Sequence, residues 1–173
     1  MSNRLPKDFY YLRVAEAVSC RSTCLSKQWG AVIVRDDSIV STGYNGAPRG
    51  TVNCSDQGAC PRLSAGVQRG TNYNMCVAVH AEANAIISAP RDRMLHATLY
   101  LYGYDMVHQM LVQHPDSCPM CKRLIINSGI EVVCVAEPED RITDDDMGYR
   151  ARRIFVSEWI NAPYIHLRDN CGY

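Results

Sequence analysis

His80-Ala81-Glu82-Ala83-Asn84-Ala85-Ile86 and, downstream of it, Cys118-Pro119-Met120-Cys121 are the stretches on which the reading of this chain turns. Between them they offer one imidazole, two thiols and a carboxylate. A catalytic zinc takes three protein ligands and leaves its fourth position to water. A carboxylate close to that water, but not on the metal, is what a hydrolytic proton shuttle needs. Both stretches lead into helical patterns. Val79 to Ala89 is apolar at helical intervals and Pro90 marks its stop. Pro119 to Asn127 is a second helix, with Pro119 suited to a first turn and Ser128-Gly129 able to end it. The motifs therefore sit at helix N-termini, where free backbone N–H groups and the positive dipole end favour Cys118 and Cys121 as thiolates. Two sulfurs on one turn can reach a single ion, and His80 from the neighbouring helix completes a His-Cys-Cys face. A lone H-x-E is a weak signal and an isolated C-x-x-C has several meanings. Their order, each ahead of a helix, makes the combination specific.

Working outward, Asp8 to about Thr23 reads as a helix with a broad apolar face. Gly30 to Val34 reads as a buried strand and Ile39 to Tyr44 as a second, joined through Asp36-Asp37-Ser38 as a hairpin. From Asn45 to about Asn74 the chain is rich in Gly, Pro, Asn, Ser and Cys and keeps no period. So long a loop inside a compact domain is uncommon unless functional or tied down. Ala97 to Tyr102 and Ile130 to Ala136 read as further strands. Thr143 is placed to cap a last long helix reaching about Ile160, with Asp144, Asp145 and Asp146 in its first turn. Tyr164 to Leu167 reads as a short final strand. This order describes an α/β sandwich around a mixed sheet.

The chain has 173 residues, 47% hydrophobic and 21% charged, which suits one domain spanning residues 1–173. Lysine plus arginine equal aspartate plus glutamate at 18 each. That balance argues against a partner that is a nucleic acid polymer. No apolar run approaches the roughly eighteen residues of a membrane span, and the polar start lacks a signal-peptide core. Nine cysteines could suggest a secreted disulfide scaffold. Two of them sit in C-x-x-C with a metal-type histidine, so thiolate–metal chemistry in a reducing cytoplasmic compartment is the better expectation.

H-x-E followed by C-x-x-C is the signature of zinc-dependent nucleobase deaminases. The sequence resembles the zinc-dependent cytidine deaminase superfamily and, within it, the deoxycytidylate (dCMP) deaminases, over roughly residues 8 to 137. The resemblance also runs through Ser22-Thr23-Cys24, Gly30-Ala31-Val32-Ile33-Val34, Ser41-Thr42-Gly43-Tyr44-Asn45-Gly46-Ala47-Pro48, Ala97-Thr98-Leu99-Tyr100 and Ile125-Ile126-Asn127-Ser128-Gly129-Ile130. Thr42-Gly43-Tyr44-Asn45-Gly46-Ala47-Pro48 points to members that act on nucleotides. The fold it implies is a three-layer α/β/α cytidine deaminase-like sandwich with a mixed central sheet of about five strands. The activity it implies is hydrolysis of dCMP to dUMP and ammonia, with Glu82 passing protons between water, ring nitrogen and departing amine. Family members are commonly hexameric homo-oligomers, and many respond to dCTP and dTTP.

Residue by residue, Asn45 matches a sugar-contacting asparagine, and Ser26 and Lys27 lie where a phosphate is expected, with Arg49 adding charge. Arg91 matches a nucleotide-sensitive arginine. Asn45-Gly46 equally makes a turn pair, and Lys27, Arg49 and Arg91 equally read as solvated surface charge. Two departures stand out: Ser117 occupies the position where the family carries proline before the first zinc-ligating cysteine, and after Glu137 the chain follows the family poorly. Three alternatives remain open: deamination of another cytosine nucleotide (CMP, dCTP or a modified dCMP), a tRNA or polynucleotide deaminase, and a non-catalytic zinc module.

Cys24, Cys54, Cys60 and Cys76 are placed to form a second, structural zinc site of four thiolates, which would fold the long loop. Structural zinc contributes roughly 10–16 kcal/mol, enough to offset the entropy of ordering such a segment. Some dCMP deaminases resemble this in carrying a second zinc at matching segments. The alternative is four unligated, buried thiols. Cys20, Cys134 and Cys171 read as packing or tail residues, and His96, His108, His114 and His166 carry no assignment.

Overall fold

The computed structural model describes residues 4–68, 72, 75–139 and 148–161. Its centre is a sheet in the order β2-β1-β3-β5-β6, with a short β4 paired to β3. The strands are β1 (Lys27–Arg35), β2 (Ser38–Tyr44), β3 (Thr98–Asp105), β4 (Met110–Leu111), β5 (Val132–Pro138) and β6 (Tyr149–Phe155). β3 and β5 run parallel; the remaining pairs are antiparallel, so the sheet is mixed as expected. Asp36 and Asp37 both take positive φ, at 49° and 61°, between the paired residues Arg35 and Ser38. This two-residue turn has the backbone sense that matches strand twist, which is why the acidic pair makes a hairpin.

Side-chain parity builds the layers. Ala31, Ile33, Leu99, Leu101, Val133 and Val135 point to one face, together with residues of α4 (Ala81–Ile87), α5 (Arg91–Met94), α6 (Pro119–Ser128) and α7 (Val156–Asn161). Val32, Val34, Tyr100, Tyr102, Cys134 and Ala136 point to the other, where Tyr11, Leu12 and Ala15 of α1 (Lys7–Ser19) cover them. Strands buried on both faces are expected to read as continuous apolar runs, and 30–34 and 132–136 do. The long loop is not wholly irregular. It holds two single turns, α2 (Cys54–Gln57) and α3 (Pro61–Ser64).

The expected long helix from Thr143 to Ile160 is corrected by the structure. Residues 149–155 form the edge strand β6, and among the described residues of that span the helix is confined to 156–161; Thr143 and the final strand at 164–167 lie outside the described residues. Adjacent Arg152 and Arg153 break a simple alternation, but their partners on opposite faces restore it. Arg150 and Arg152 both reach Glu137 on β5, while Arg153 makes two bonds to Asp8 on α1 at 2.6 and 2.8 Å. Charged residues on an edge strand are also what keeps such an edge from pairing with other chains.

Candidate active site

β3, the crossover through α6 and the parallel strand β5 place the start of α6 beyond the carboxyl end of β3, the customary ligand side of such sheets. α4 packs beside α6 and is stitched to β2. Asn84 Nδ2 donates to the Tyr44 carbonyl at 2.7 Å, and Ser41 Oγ donates to the Ala85 carbonyl at 2.7 Å. Gly46 and Val79 exchange backbone bonds of 3.2 and 2.8 Å, fixing the residue ahead of His80. Gly43 makes the approach possible: a Cβ there would lie 2.3 Å from the Ala81 carbonyl oxygen and 2.3 Å from the Ala85 nitrogen.

His80 and Cys118 are the N-caps of α4 and α6, both in extended backbone. His80 Nδ1 lies 3.3 Å from Cys118 Sγ and 3.4 Å from Cys121 Sγ. Zinc at about 2.3 Å from sulfur and about 2.0–2.1 Å from nitrogen, at tetrahedral angles, sets N and S roughly 3.5 Å apart. The three donors fit one ion without rearrangement, and their ligand atoms all lie within 4.8 Å of one another. The thiol of Cys121, and then His80, hold the Cys118 thiol down at about 4 against the effect of burial. The same sharing with Cys118, burial and neighbouring Glu82 push the Cys121 thiol up. Burial disfavours imidazolium at His80, yet Cys118 and Glu82 outweigh it and raise its pKa. Glu82 is in the first turn of α4 and fully buried.

A cleft of about 280 Å³ opens beside His80, and Ser26, Lys27 and Asn45 line it, as does the loop-borne Cys60. Asn45 is buried, and its amide already holds the strand ends. Oδ1 accepts from the Trp29 N–H at 2.8 Å and from Ser22 Oγ at 2.7 Å, while Nδ2 donates to the Lys27 carbonyl at 2.8 Å. An amide oxygen has two lone pairs and an amide nitrogen two hydrogens. What remains for a ligand is one N–H. Arg49 and Arg91 are not brought into this cleft. Arg49 reaches Ser88 Oγ at 3.4 Å, and Arg91 Nε donates to the Asn127 carbonyl at 3.2 Å, both exposed. Each lies against a helix end, outside the lining of this cleft.

Cys24, Cys60 and Cys76 line the same cleft. Burial, then the fields of Cys76 and Cys60, push the Cys24 thiol up, and burial with Cys60, Cys24 and Cys76 does the same at Cys54. The four thiols thus lie near one another, three of them on the cleft wall. Among the described residues they do not reach the tight spacing of the His80 set. Sequence reasoning missed Arg62, Asp105 and His108, which also line the cleft; the signal for His108 was its spacing from Asp105 across a turn.

Ser117, at the position where the family carries proline, is buried, and its Oγ has no partner among the described residues. Its N–H, which proline would lack, donates to Asp116 Oδ1 at 2.8 Å. Asp116 Oδ2 in turn pairs with Lys122 Nζ at 2.5 Å, and Lys122 sits 4.9 Å over the Trp159 ring. This chain of contacts fixes the backbone entering Cys118. Asp116→Ala leaves a buried N–H unsatisfied, a loss of about 1–3 kcal/mol. Faster zinc release to a chelator and a lower melting temperature are the expected results, and unchanged release contradicts the positioning.

Residues 5–137 match the family described as the cytidine and deoxycytidylate deaminase zinc-binding region. The chain belongs to this family. A deoxycytidylate deaminase of Mycobacterium phage D29 is 42% identical over 131 residues, covering 73% of this chain and 91% of its own length. The deoxycytidylate deaminase of Saccharomyces cerevisiae is 37% identical over 133 residues, 75% of this chain and 37% of that protein. The crystal structure of dCMP deaminase from cyanophage S-TIM5 in complex with dCMP and dUMP aligns with a TM-score of 0.51 at 25% identity. It covers 76% of this chain and 83% of that one. The deaminase family match stops at Glu137, where the sequence departs from the family pattern. Zinc is the metal of this family, and His80, Cys118 and Cys121 are the donor set able to hold it.

Proposed function

We propose that this chain is a zinc-dependent hydrolase that converts dCMP and water to dUMP and ammonia. The observation that carries the reading is the meeting of His80 Nδ1 with two sulfurs at 3.3 and 3.4 Å, beside a fully buried Glu82. These three donors would hold zinc, which when bound would supply acidity to water, lowering its pKa from about 15.7 toward ~7. Glu82 is placed to take a proton from water and deliver it to the ring nitrogen next to the carbon bearing the amine. A second proton passes through the same carboxyl to the amine as it leaves. Burial serves this role, because a carboxyl shielded from bulk water exchanges protons with the bound reactants alone. Asn45 offers its remaining N–H to the sugar, and Ser26 and Lys27 stand where the phosphate would lie.

Incubating purified protein with dCMP, CMP, deoxycytidine and dCTP, and following loss of cytosine absorbance, tests the assignment. Fastest turnover of dCMP is expected. No turnover of any of the four overturns the hydrolase reading, and preference for another nucleotide overturns the substrate.

The reading extends to a single deaminase domain over residues 1–173 and to a structural zinc on Cys24, Cys54, Cys60 and Cys76. Metal analysis of protein purified under reducing conditions is expected to give two zinc per chain; one per chain contradicts the second site. We further read the protein as cytoplasmic and as a homo-oligomer, hexameric in keeping with the family resemblance, with dCTP and dTTP as effectors. Exposed Ile87, Met120 and Leu124 on the adjoining helices α4 and α6 support assembly. Among the described residues, no helix is long and apolar enough to cross a membrane.

A further inference from the structure

Residues 113–117 run from β4 to Cys118, the N-cap of α6, and belong to no helix or strand. His114 takes positive φ at 50°, and Ser117 leaves φ free where a proline ring would fix it. Among the described residues, no backbone-to-backbone hydrogen bond reaches this stretch from another part of the chain. Its placement nonetheless sets the metal donors, because Cys118 follows it directly and meets His80 Nδ1 at 3.3 Å.

The hold on this stretch comes from β6 and α7. Arg152 Nη2 donates to the carbonyl of buried Pro115 at 2.7 Å, while its Nε donates to Glu137 Oε1 at 2.8 Å. Glu137 is itself fixed, since Arg150 donates to Oε2 through Nε at 2.8 Å and through Nη2 at 2.6 Å. Burial works to raise the Glu137 pKa, but Arg150 and Arg152 outweigh it and keep the carboxylate charged. A planar guanidinium bonded on two sides to fixed acceptors cannot swing, so it restrains the carbonyl it holds. α7 follows β6 directly and adds a second hold. Its Trp159 ring lies 4.9 Å from Lys122 Nζ, and Lys122 pairs with Asp116. β6 and α7 lie beyond residues 5–137, so both holds come from outside the region matched by the deaminase family.

We propose that Arg152 is a positioning residue of the active site: it holds the Pro115 carbonyl and thereby sets Cys118 against His80 and Cys121. The inference rests on the zinc-dependent dCMP reading and extends that site's support to the edge strand. Arg152 acts through the backbone of residues 115–118 and not on the substrate. Cys121 is one turn into α6 and is kept by the helix, so loss of Arg152 displaces Cys118 more than its partner. Neighbouring Arg153 is the internal control. It donates twice to Asp8 on α1, across the sheet from the metal donors.

The test compares wild type, Arg152→Gln and Arg153→Gln. It measures zinc release to a chelator, the visible spectrum of the cobalt(II)-substituted protein, kcat and KM for dCMP, and melting temperature. Arg152→Gln is expected to release zinc about tenfold faster, at the low end of what partners that orient metal ligands contribute. It should also shift the thiolate-to-cobalt absorption bands and lower kcat about tenfold, with KM within about twofold. Arg153→Gln is expected to lower the melting temperature while release, spectrum and kcat stay at wild type. Equal effects of the two variants on release and spectrum overturn the inference, as does wild-type release from Arg152→Gln. Should Arg152→Gln not fold, Arg152→Lys decides by the same readouts, because an ammonium keeps the charge but not the fork that spans both acceptors. If wild-type protein does not turn over dCMP, the substrate reading fails. Zinc release and the cobalt spectrum still decide the role of Arg152 on their own.

Discussion

Glu82→Gln is expected to keep its zinc and lose turnover of dCMP by about a thousandfold, within the 10²–10⁴ range of positioned acid–base groups. The amide has the volume and shape of the carboxyl, so the first turn of α4 and the packing around it should persist. The three metal donors belong to His80, Cys118 and Cys121, and the substitution leaves them untouched. The lost property is the ability to take a proton and return it. Glu82 is fully buried, so bulk water cannot easily stand in. Metal content by atomic absorption and kcat with dCMP check the two halves separately. Full metal with full turnover would assign the proton transfer to another group.

Gly43→Ala is expected to damage the site through the fold. A methyl group at Gly43 would fall 2.3 Å from two backbone atoms of α4, the Ala81 carbonyl oxygen and the Ala85 nitrogen. Neither can rotate away as a side-chain tip could. α4 must shift outward, and His80 and Glu82 travel with it while Cys118 and Cys121 stay on α6. Overpacking costs roughly 1–3 kcal/mol, and a clash against helix backbone belongs at the upper end. Expected results are a lower denaturant midpoint, weaker zinc binding and reduced kcat together. A variant with native stability and native zinc affinity would mean that α4 is less tightly seated on β2 than the structure shows.

The legible parts of the chain are those in which chemistry and local backbone coincide. Asp36 and Asp37 announce a turn because acidic residues tolerate the left-handed backbone they adopt. Gly129, at φ 84°, ends α6 as its position suggested. His80 and Cys118 were readable because the same residues cap helices and ligate metal. β6 was not readable. Its apolar residues are few, and what makes it a strand is β5's open edge with Glu137 and Asp8 waiting for three arginines. Those partners are distant in sequence. The cleft shows the same division. Asn45 was found as a candidate, but its bonds to Trp29, Ser22 and Lys27 depend on how β1 and β2 end. Arg49 and Arg91 looked equal to Lys27 as cations, and only tertiary placement separates them. Arg62, Asp105 and His108 converge from a loop turn and a strand end that no local pattern links.

Zinc-edge anomalous diffraction from crystals of the zinc-loaded protein tests the centre of this account most directly. The predicted result is a peak at bonding distance from His80 Nδ1, Cys118 Sγ and Cys121 Sγ, with a non-protein oxygen as fourth ligand near the Glu82 carboxyl. A fourth protein atom closing that position, or no peak between these three residues, would contradict it.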